Sequence, residues 1–228
     1  MTATRTKLIG IILALAALMA LMGPAVNAKK LKAHGHVTPD TLSKTELTDY
    51  VIVTNISKVT LIGHSFLHHF KGRTRKVEGN SEGSFENPES FHGVVLIPVT
   101  TINGYAFGGK KKKLTHNIHA NLEADKYPNI TFKLDKVTPI KLDLESGKGR
   151  FQIEGELSVH DVTKTIYIPL DMELKNGFLH FKGKFEKLDM RDYGLQPDTL
   201  LAVFKVNPFL DIKLNIYEDL KPETDGAI

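Results

Sequence analysis

The stretch from Gly149 to Leu174 constrains the fold more than any other part of this 228-residue sequence. In GRFQIEGELSVHDVTKTIYIPLDMEL, apolar and polar residues alternate on both sides of a short polar segment, His160 to Lys164. A period of two places successive side chains on opposite faces of an extended strand. The pattern predicts a long β-hairpin with one apolar face and one solvated face, turning at His160 to Lys164.

The same alternation recurs along most of the chain. The segment after Asn176 and Gly177, a pair typical of tight hairpin turns, alternates again. Roughly eight strands at hairpin-like spacing predict an all-β protein, an antiparallel sandwich or barrel. Some glycines occupy positions on the apolar face of a strand. They permit the bending that a closing barrel requires, although close packing or a bulge explains each one equally well. These glycines are Gly63, Gly155 and Gly183.

One segment, LTHNIHANLEADKYP, departs from the strand pattern. Its apolar residues Leu114, Ile118 and Leu122 recur every four positions, and Pro128 prevents a helix from continuing. We expect one short helix here, placed to cap one end of a barrel.

The first 28 residues have the pattern of a secretory signal peptide. Arg5 and Lys7 precede an apolar run, and small residues lead to Ala28, where cleavage is expected. The run is short for a membrane span, although an uncleaved anchor is the alternative. The sequence therefore predicts a periplasmic or secreted protein with a flexible lead-in at 29–50, one domain at 51–220 and a tail at 221–228.

The charge balance and the absence of cysteine exclude several classes of protein. Lys and Arg total 30 and Asp and Glu total 26, so without the signal the chain is nearly neutral and its lysines are scattered. Nucleic-acid binding, which needs clustered basic charge, is not expected. Disulfides and Cys-based metal sites are excluded. The one basic cluster, Lys110 to Lys113, is interpreted as a solvated loop or as a membrane-surface contact with anionic lipid.

The spacing of the ten histidines does not support a metal site. If IGHSFLHHF is one strand, His64 and His68 lie about 13 Å apart on one face and His69 points the other way. Ligands of zinc lie about 2 Å from the ion, so these three side chains cannot share one. The pairs His34 and His36, and His116 and His119, lack a third ligand at a diagnostic spacing. No metal or other cofactor is therefore expected.

No motif of an enzyme is present in the sequence. A nucleophile elbow, a phosphate-binding glycine loop and a His-Glu-x-x-His helix are all missing. Paired carboxylates such as Glu154 and Glu156 fall on the solvated parity of a strand. We expect a non-catalytic protein.

Three stretches, in this order and spacing, resemble the YceI-like family of lipid- or polyisoprenoid-binding domains. They are LEADKYPNITF, GRFQIEGELSVHDVTKTIYIPL and LDMRDYGL. Near the start, SKVTLIGHSFLHHFKG is similar to a variant form of the family's first motif, which matches Ser57, Gly63, Ser65, Leu67, His68 and Phe70. The resemblance spans roughly Asn55 to Tyr217.

The resemblance implies an exported, lipocalin-like antiparallel β-barrel whose apolar tunnel holds an isoprenoid or another amphipathic lipid. Parity alone predicts the barrel interior; only the resemblance implies that this interior is a ligand tunnel, because a small barrel can be filled by its own side chains. The residues expected to line the tunnel are Leu67, Phe70, Phe132, Leu134, Phe151, Ile153, Leu157, Ile166, Ile168, Leu170 and Phe181.

Polar residues in the matched motifs are candidates for the tunnel mouth. His68 is the first choice for contact with a lipid headgroup, followed by Arg191 and Tyr193; a structural hydrogen bond is the alternative role for each. The function implied is non-catalytic lipid storage or transport. The alternative is an exported barrel with a self-filled core that acts as a protein-interaction or stress-response module.

Overall fold

A computed structural model describes residues 35–65, 69–196 and 206–222. The predicted signal peptide and positions 29–34 lie outside the described residues, as do 223–228 of the predicted tail. Among the residues described, no helix is both long enough and apolar enough to cross a membrane.

The described chain forms twelve strands that belong to one antiparallel sheet. Two α-helices, α1 (Pro39–Leu42) and α2 (Lys112–Asn121), and three short 3₁₀ helices at Pro88–Ser90, Val99–Thr101 and Met190–Tyr193 connect them. The strands are β1 (Thr48–Ile52), β2 (Lys58–Ser65), β3 (His69–Thr74), β4 (Glu78–Gly83), β5 (His92–Pro98), β6 (Asn103–Ala106), β7 (Gly109–Lys110), β8 (Asn129–Asp143), β9 (Lys148–Val159), β10 (Val162–Lys175), β11 (Phe178–Asp189) and β12 (Val206–Leu220).

Eight of these strands close into a barrel, in the order β1, β4, β5, β8, β9, β10, β11, β12 and back to β1. The closing pair joins β1 to the end of β12, where Ile52 lies opposite Glu218. The earlier part of β12 pairs instead with β2, from which β3, β6 and β7 extend the sheet. The predicted lipocalin-like barrel of about eight strands is confirmed.

The long hairpin is present, with a shorter turn than the sequence predicted. Val159 lies opposite Val162, so the turn contains only His160 and Asp161, and Thr163 and Lys164 belong to β10. The turn after β10 is formed by Asn176 and Gly177 as predicted, and both have positive φ angles, 53° and 76°. Positive φ at both central positions matches the right-handed twist of a hairpin.

The predicted helix is also present, shifted towards the N-terminus. Helix α2 begins at Lys112 and ends at Asn121, and it buries Leu114 and Ile118. Leu122 is buried just beyond its end, and Glu123 follows with a φ of 44°, a left-handed conformation that does not continue a helix. The segment from there to Pro128 is therefore not helical, in contrast to the expectation.

The prediction of a flexible lead-in is wrong for residues 35–50. Val37 and Leu42 are buried in the main core, and the amide of Val37 donates a hydrogen bond to the carbonyl of Gly177. Strand β1 starts at Thr48 and belongs to the barrel. This short polar segment has no long periodic pattern, and its order comes from packing over the end of the barrel that contains the Asn176–Gly177 turn.

Candidate functional site: the barrel cavity

The barrel encloses an apolar cavity. The cavity has a volume of about 230 Å³, so the side chains do not fill the interior completely. Its walls come from every strand of the ring except β1, and also from β2, β3 and the residue that follows α2. Among the lining residues are Val59, Leu61, Phe85, Phe91, Val95, Ile97, Leu122, Val137, Leu188, Leu195, Leu210, Ile212, Leu214 and Ile216.

Most of the predicted tunnel residues lie on this wall. Leu67 lies outside the described residues. Phe70 is buried but is not among the cavity-lining residues, in contrast to the prediction. Nine line the cavity: Phe132, Leu134, Phe151, Ile153, Leu157, Ile166, Ile168, Leu170 and Phe181. Whether they bind a ligand stays a prediction.

The three glycines on the apolar parity make room for large side chains. A Cβ atom on Gly155 would lie 2.5 Å from Cζ of Phe132, and one on Gly183 would lie 2.3 Å from Cδ2 of Leu170. A Cβ on Gly63 would lie 2.0 Å from Cζ of Phe70. The ring of Phe70 therefore packs onto the backbone of β2, which explains why it does not line the cavity.

Aromatic rings line one end of the cavity. Phe85 lies 4.8 Å from Phe91 and 6.3 Å from Phe151, measured between ring centroids, and Tyr50 packs edge-on to Phe85 at 6.1 Å. The segment that carries Val37 joins the same core from outside the ring. This end of the barrel is defined by the Asn176–Gly177 turn and is called the covered end below.

Two polar side chains of the lining, those of Glu218 and Ser81, are hydrogen-bonded to each other near the covered end. Glu218 continues the inward-facing series Leu210, Ile212, Leu214 and Ile216 of β12, and it is only 9% exposed. The hydroxyl of Ser81 on β4 donates a hydrogen bond of 2.9 Å to its Oε2. Burial raises the pKa of Glu218 to about 7, against the opposing effect of that hydrogen bond.

Sequence reasoning missed Glu218, although a signal was available. An acidic residue on the apolar parity of a strand departs from the alternation that predicted the strand in the first place. The pairing with Ser81 had no such signal, because the two residues are 137 positions apart.

The predicted mouth residues are placed at the opposite end, beside the 3₁₀ helix Met190–Tyr193. Arg191 is exposed, and its guanidinium contacts Asp189 through Nη2 to Oδ2 at 2.6 Å and Nε to Oδ1 at 3.0 Å. Arg191 thereby holds the pKa of Asp189 below its usual range. His68 lies outside the described residues. Contact of any of these residues with a headgroup stays a prediction.

Tyr193, the third predicted mouth residue, is 2% exposed rather than open to solvent. Burial raises the pKa of its hydroxyl to about 12. Within the part of the chain that the structure describes, that hydroxyl has no hydrogen-bond partner. Neither Tyr193 nor Arg191 is among the residues that line the cavity, although Leu188 and Leu195 on either side are.

The histidine-rich segment is not one continuous strand, and the expected histidine geometry is wrong. Ser65 ends β2 and His69 begins β3, so His64 and His69 face each other across a hairpin. Their Nδ1 atoms are 2.8 Å apart, and Nε2 of His64 lies 3.7 Å from Oδ2 of Asp211. No group of three or more potential metal-binding side chains occurs among the described positions.

The outer surface of the barrel carries a separate polar network around His180. The imidazole stacks on Tyr217, with ring centroids 4.0 Å apart, and its two nitrogens contact Glu173 Oε1 at 2.9 Å and Asn215 Oδ1 at 3.0 Å. Lys182 donates to the same oxygen of Glu173. Hydrogen bonds from Lys182 and His180 lower the pKa of Glu173 to about 2.

The basic cluster is not a loop throughout. Lys110 ends β7, whereas Lys112 and Lys113 form the first turn of α2, and all four lysines from Lys110 to Lys113 are exposed. Phe107, in the turn before them, is 70% exposed. Cations at a helix N-terminus are unfavourable for that helix. A contact between these lysines and a membrane surface stays a prediction.

Comparisons with known proteins agree with this architecture. The family model described as "YceI-like domain" matches residues 50–217. A UPF0312 protein of Vibrio cholerae is 25% identical over 183 residues, which cover 74% of this chain and 85% of that protein.

Two solved structures share the fold. BcnA of Burkholderia cenocepacia superposes with a TM-score of 0.61 at 15% identity, covering 73% of this chain and 98% of that one. A polyisoprenoid-binding domain from Saccharophagus degradans, implicated in plant cell wall breakdown, superposes with a TM-score of 0.58 at 14% identity, covering 77% and 100%.

Proposed function

Since the chain belongs to the YceI-like family, we propose that it is an exported, non-catalytic protein that binds an isoprenoid or another amphipathic lipid in its barrel cavity. The observation that carries the proposal is the apolar cavity itself, which is lined by inward-facing side chains from seven of the eight strands of the ring. A relative in fold is described as a polyisoprenoid-binding domain, which supports the same class of ligand. A self-filled interaction module would have no such cavity.

The energetics of burial favour a long apolar ligand. Each methylene-sized group transferred from water to a dry interior contributes about 0.8 kcal/mol, so one five-carbon isoprene unit contributes roughly 4 kcal/mol before costs. Ordering and association cost several kcal/mol, so a few buried units suffice for micromolar affinity, about −8 kcal/mol.

Export and membrane contact are parts of the same proposal. The pattern around Arg5, Lys7 and Ala28 supports a periplasmic or secreted location, where carriage of a water-insoluble chain needs a protein shell. The exposed lysines Lys110–Lys113, with Phe107 beside them, would attract an anionic membrane surface through charge and an apolar contact.

Native mass spectrometry after mild purification tests the ligand. The protein should carry added mass in the range of a lipid, and the double variant Phe132→Asp with Leu157→Asp should lose it, because buried charge makes the cavity hostile to an apolar chain. Phe132 and Leu157 lie opposite each other on β8 and β9. The matched control places the same two charges on the outward neighbours, Thr131→Asp with Ser158→Asp, which also lie opposite each other.

A cavity-filling variant separates loss of binding from loss of fold. Leu157→Trp adds apolar volume without charge and should reduce the lipid load, while circular dichroism and the unfolding transition stay close to those of the native protein. An unchanged lipid load in both the charged and the filled variants would contradict the proposal.

A further inference from the structure

The cavity has one acidic side chain in a chemically unusual position. Glu218 projects from the apolar parity of β12 into the lining, close to the aromatic residues of the covered end. The other polar groups of the lining near it are Ser81 and Asn80 on β4. Inward-facing positions of a small barrel are normally apolar, and burying a carboxylate is costly unless a partner compensates it.

The described residues compensate Glu218 only in part. The hydroxyl of Ser81 supplies one hydrogen bond to Oε2, and no lysine, arginine or histidine among the described residues forms an ion pair with the carboxylate. An ionised carboxylate accepts hydrogen bonds at both oxygens and offers about four acceptor positions. A buried acceptor with unused capacity, placed on the wall of a cavity, is suited to a hydrogen-bond donor supplied by a ligand.

We propose that Glu218, assisted by Ser81, recognises the polar end of the ligand and selects amphipathic chains whose head donates hydrogen bonds. A protonated primary amine fits best, because it supplies hydrogen-bond donors as well as a positive charge. The Glu218 carboxylate has no cationic partner among the described residues. An alcohol supplies one donor and ranks second. A fatty acid is disfavoured once Glu218 is ionised, because its carboxylate then repels that of Glu218 and brings no hydrogen to share.

This assignment also sets the direction of the ligand. The polar head lies near the covered end, beside Glu218, and the apolar chain extends along Ile216, Leu214 and Ile212 towards the end that contains Leu188 and Leu195. The predicted mouth residues would then contact the tail end of the ligand rather than its head. The inference rests on the proposed function, because it names the ligand class of the same cavity.

Displacement of a neutral apolar fluorophore, diphenylhexatriene, from the delipidated full chain tests the inference. The competitors are dodecylamine, dodecanol and dodecanoate, which share one chain length and differ in the head. At about pH 8, which is above the pKa of Glu218, the amine is cationic and the acid is anionic. The native protein should prefer dodecylamine to dodecanoate by at least about tenfold, corresponding to ~1.4 kcal/mol.

The variant Glu218→Gln keeps the size of the side chain and removes its charge, and Glu218→Met removes every polar atom. When displacement is referred to each variant's own affinity for diphenylhexatriene, both should prefer amine to acid by no more than about twofold, less than half a kcal/mol. The matched control is Glu154→Gln, which removes a carboxylate from the outward parity of β9. It should keep the native preference.

The possible outcomes separate the inference from the proposed function. If the native protein binds diphenylhexatriene but shows no preference among the three heads, the inference is overturned and the lipid-binding cavity stands. An amine preference that persists in both Glu218 variants overturns it as well. If the native protein neither binds the fluorophore nor carries lipid mass, the proposed function fails first.

Discussion

Two glutamates on the same barrel show how strongly its inner and outer surfaces differ. Glu218 faces the cavity, and burial raises its pKa to about 7. Glu173 lies on the outer network, and hydrogen bonds from Lys182 and His180 lower its pKa to about 2. The same carboxyl group is thus destabilised as an anion inside and stabilised as an anion outside. A residue's face on the strand, rather than its type, determines its chemistry here.

The largest expected difference between the inner and outer surfaces is in how far the removal of a large side chain lowers the free energy of unfolding. Phe151→Ala should lower the free energy of unfolding by about 3 to 5 kcal/mol, because Phe151 is 2% exposed and belongs to the aromatic cluster of the covered end. Tyr167→Ala removes an aromatic side chain that is 55% exposed and should cost less than about 1 kcal/mol. Urea-induced unfolding of the two variants measures both values, and equal costs would contradict the assignment of faces.

The inner glutamate should make stability fall as pH rises. The pKa of Glu218 is higher in the folded state than its usual value of 4.5, so the folded state loses stability as pH increases from about 4.5 and the loss is complete above about 7. At 1.36 kcal/mol per pKa unit the loss approaches about 3 kcal/mol. This loss of stability should be absent from Glu218→Gln. The free energy of unfolding of the variant should therefore rise relative to that of the native protein as pH increases. A constant difference from pH 4 to pH 8 would place Glu218 in contact with solvent.

The outer glutamate should have the opposite and smaller effect. Its pKa is lowered in the folded state, so its contribution is present above the usual value of 4.5 and is lost as pH falls through about 2. Glu173 is 36% exposed, and pairs in contact with solvent contribute about 0.2 to 1 kcal/mol. Glu173→Gln, which retains an oxygen to accept from His180, should therefore destabilise by less than about 1 kcal/mol near neutral pH. The difference in the free energy of unfolding between Glu173→Gln and the native protein should be smaller at about pH 2, where Glu173 of the native protein has lost much of its charge.

The alternation of the sequence predicted the barrel wall well and its polar details poorly. Phe151, Ile153 and Leu157 line the cavity as predicted. This prediction succeeded because the face of a strand on which a residue lies is a local property, readable from neighbours two positions apart. The same reasoning treated IGHSFLHHF as one strand, and the structure ends β2 at Ser65 and starts β3 at His69. The alternation around His64 contained no turn signal of the Asn176–Gly177 kind, so the hairpin was missed.

The lead-in and the acidic site were missed for a different reason. The order of Val37 and Leu42 depends on contacts with the far end of the chain, including the hydrogen bond from Val37 to Gly177. The partial compensation of Glu218 depends on Ser81 and on the closure of β12 against β1. Both are consequences of register between strands that are distant in sequence.

The sequence by itself determined which side chains face inward, where the Asn176–Gly177 turn lies and that the protein is built from antiparallel strands. These features follow from the period of two and from the backbone freedom of glycine, which act over a few residues. Only the tertiary structure decided that the ring closes through β1 and β12, that the interior keeps a cavity of about 230 Å³, and that Glu218 lies in it. Packing and desolvation depend on every strand of the ring at once, and no local pattern encodes them.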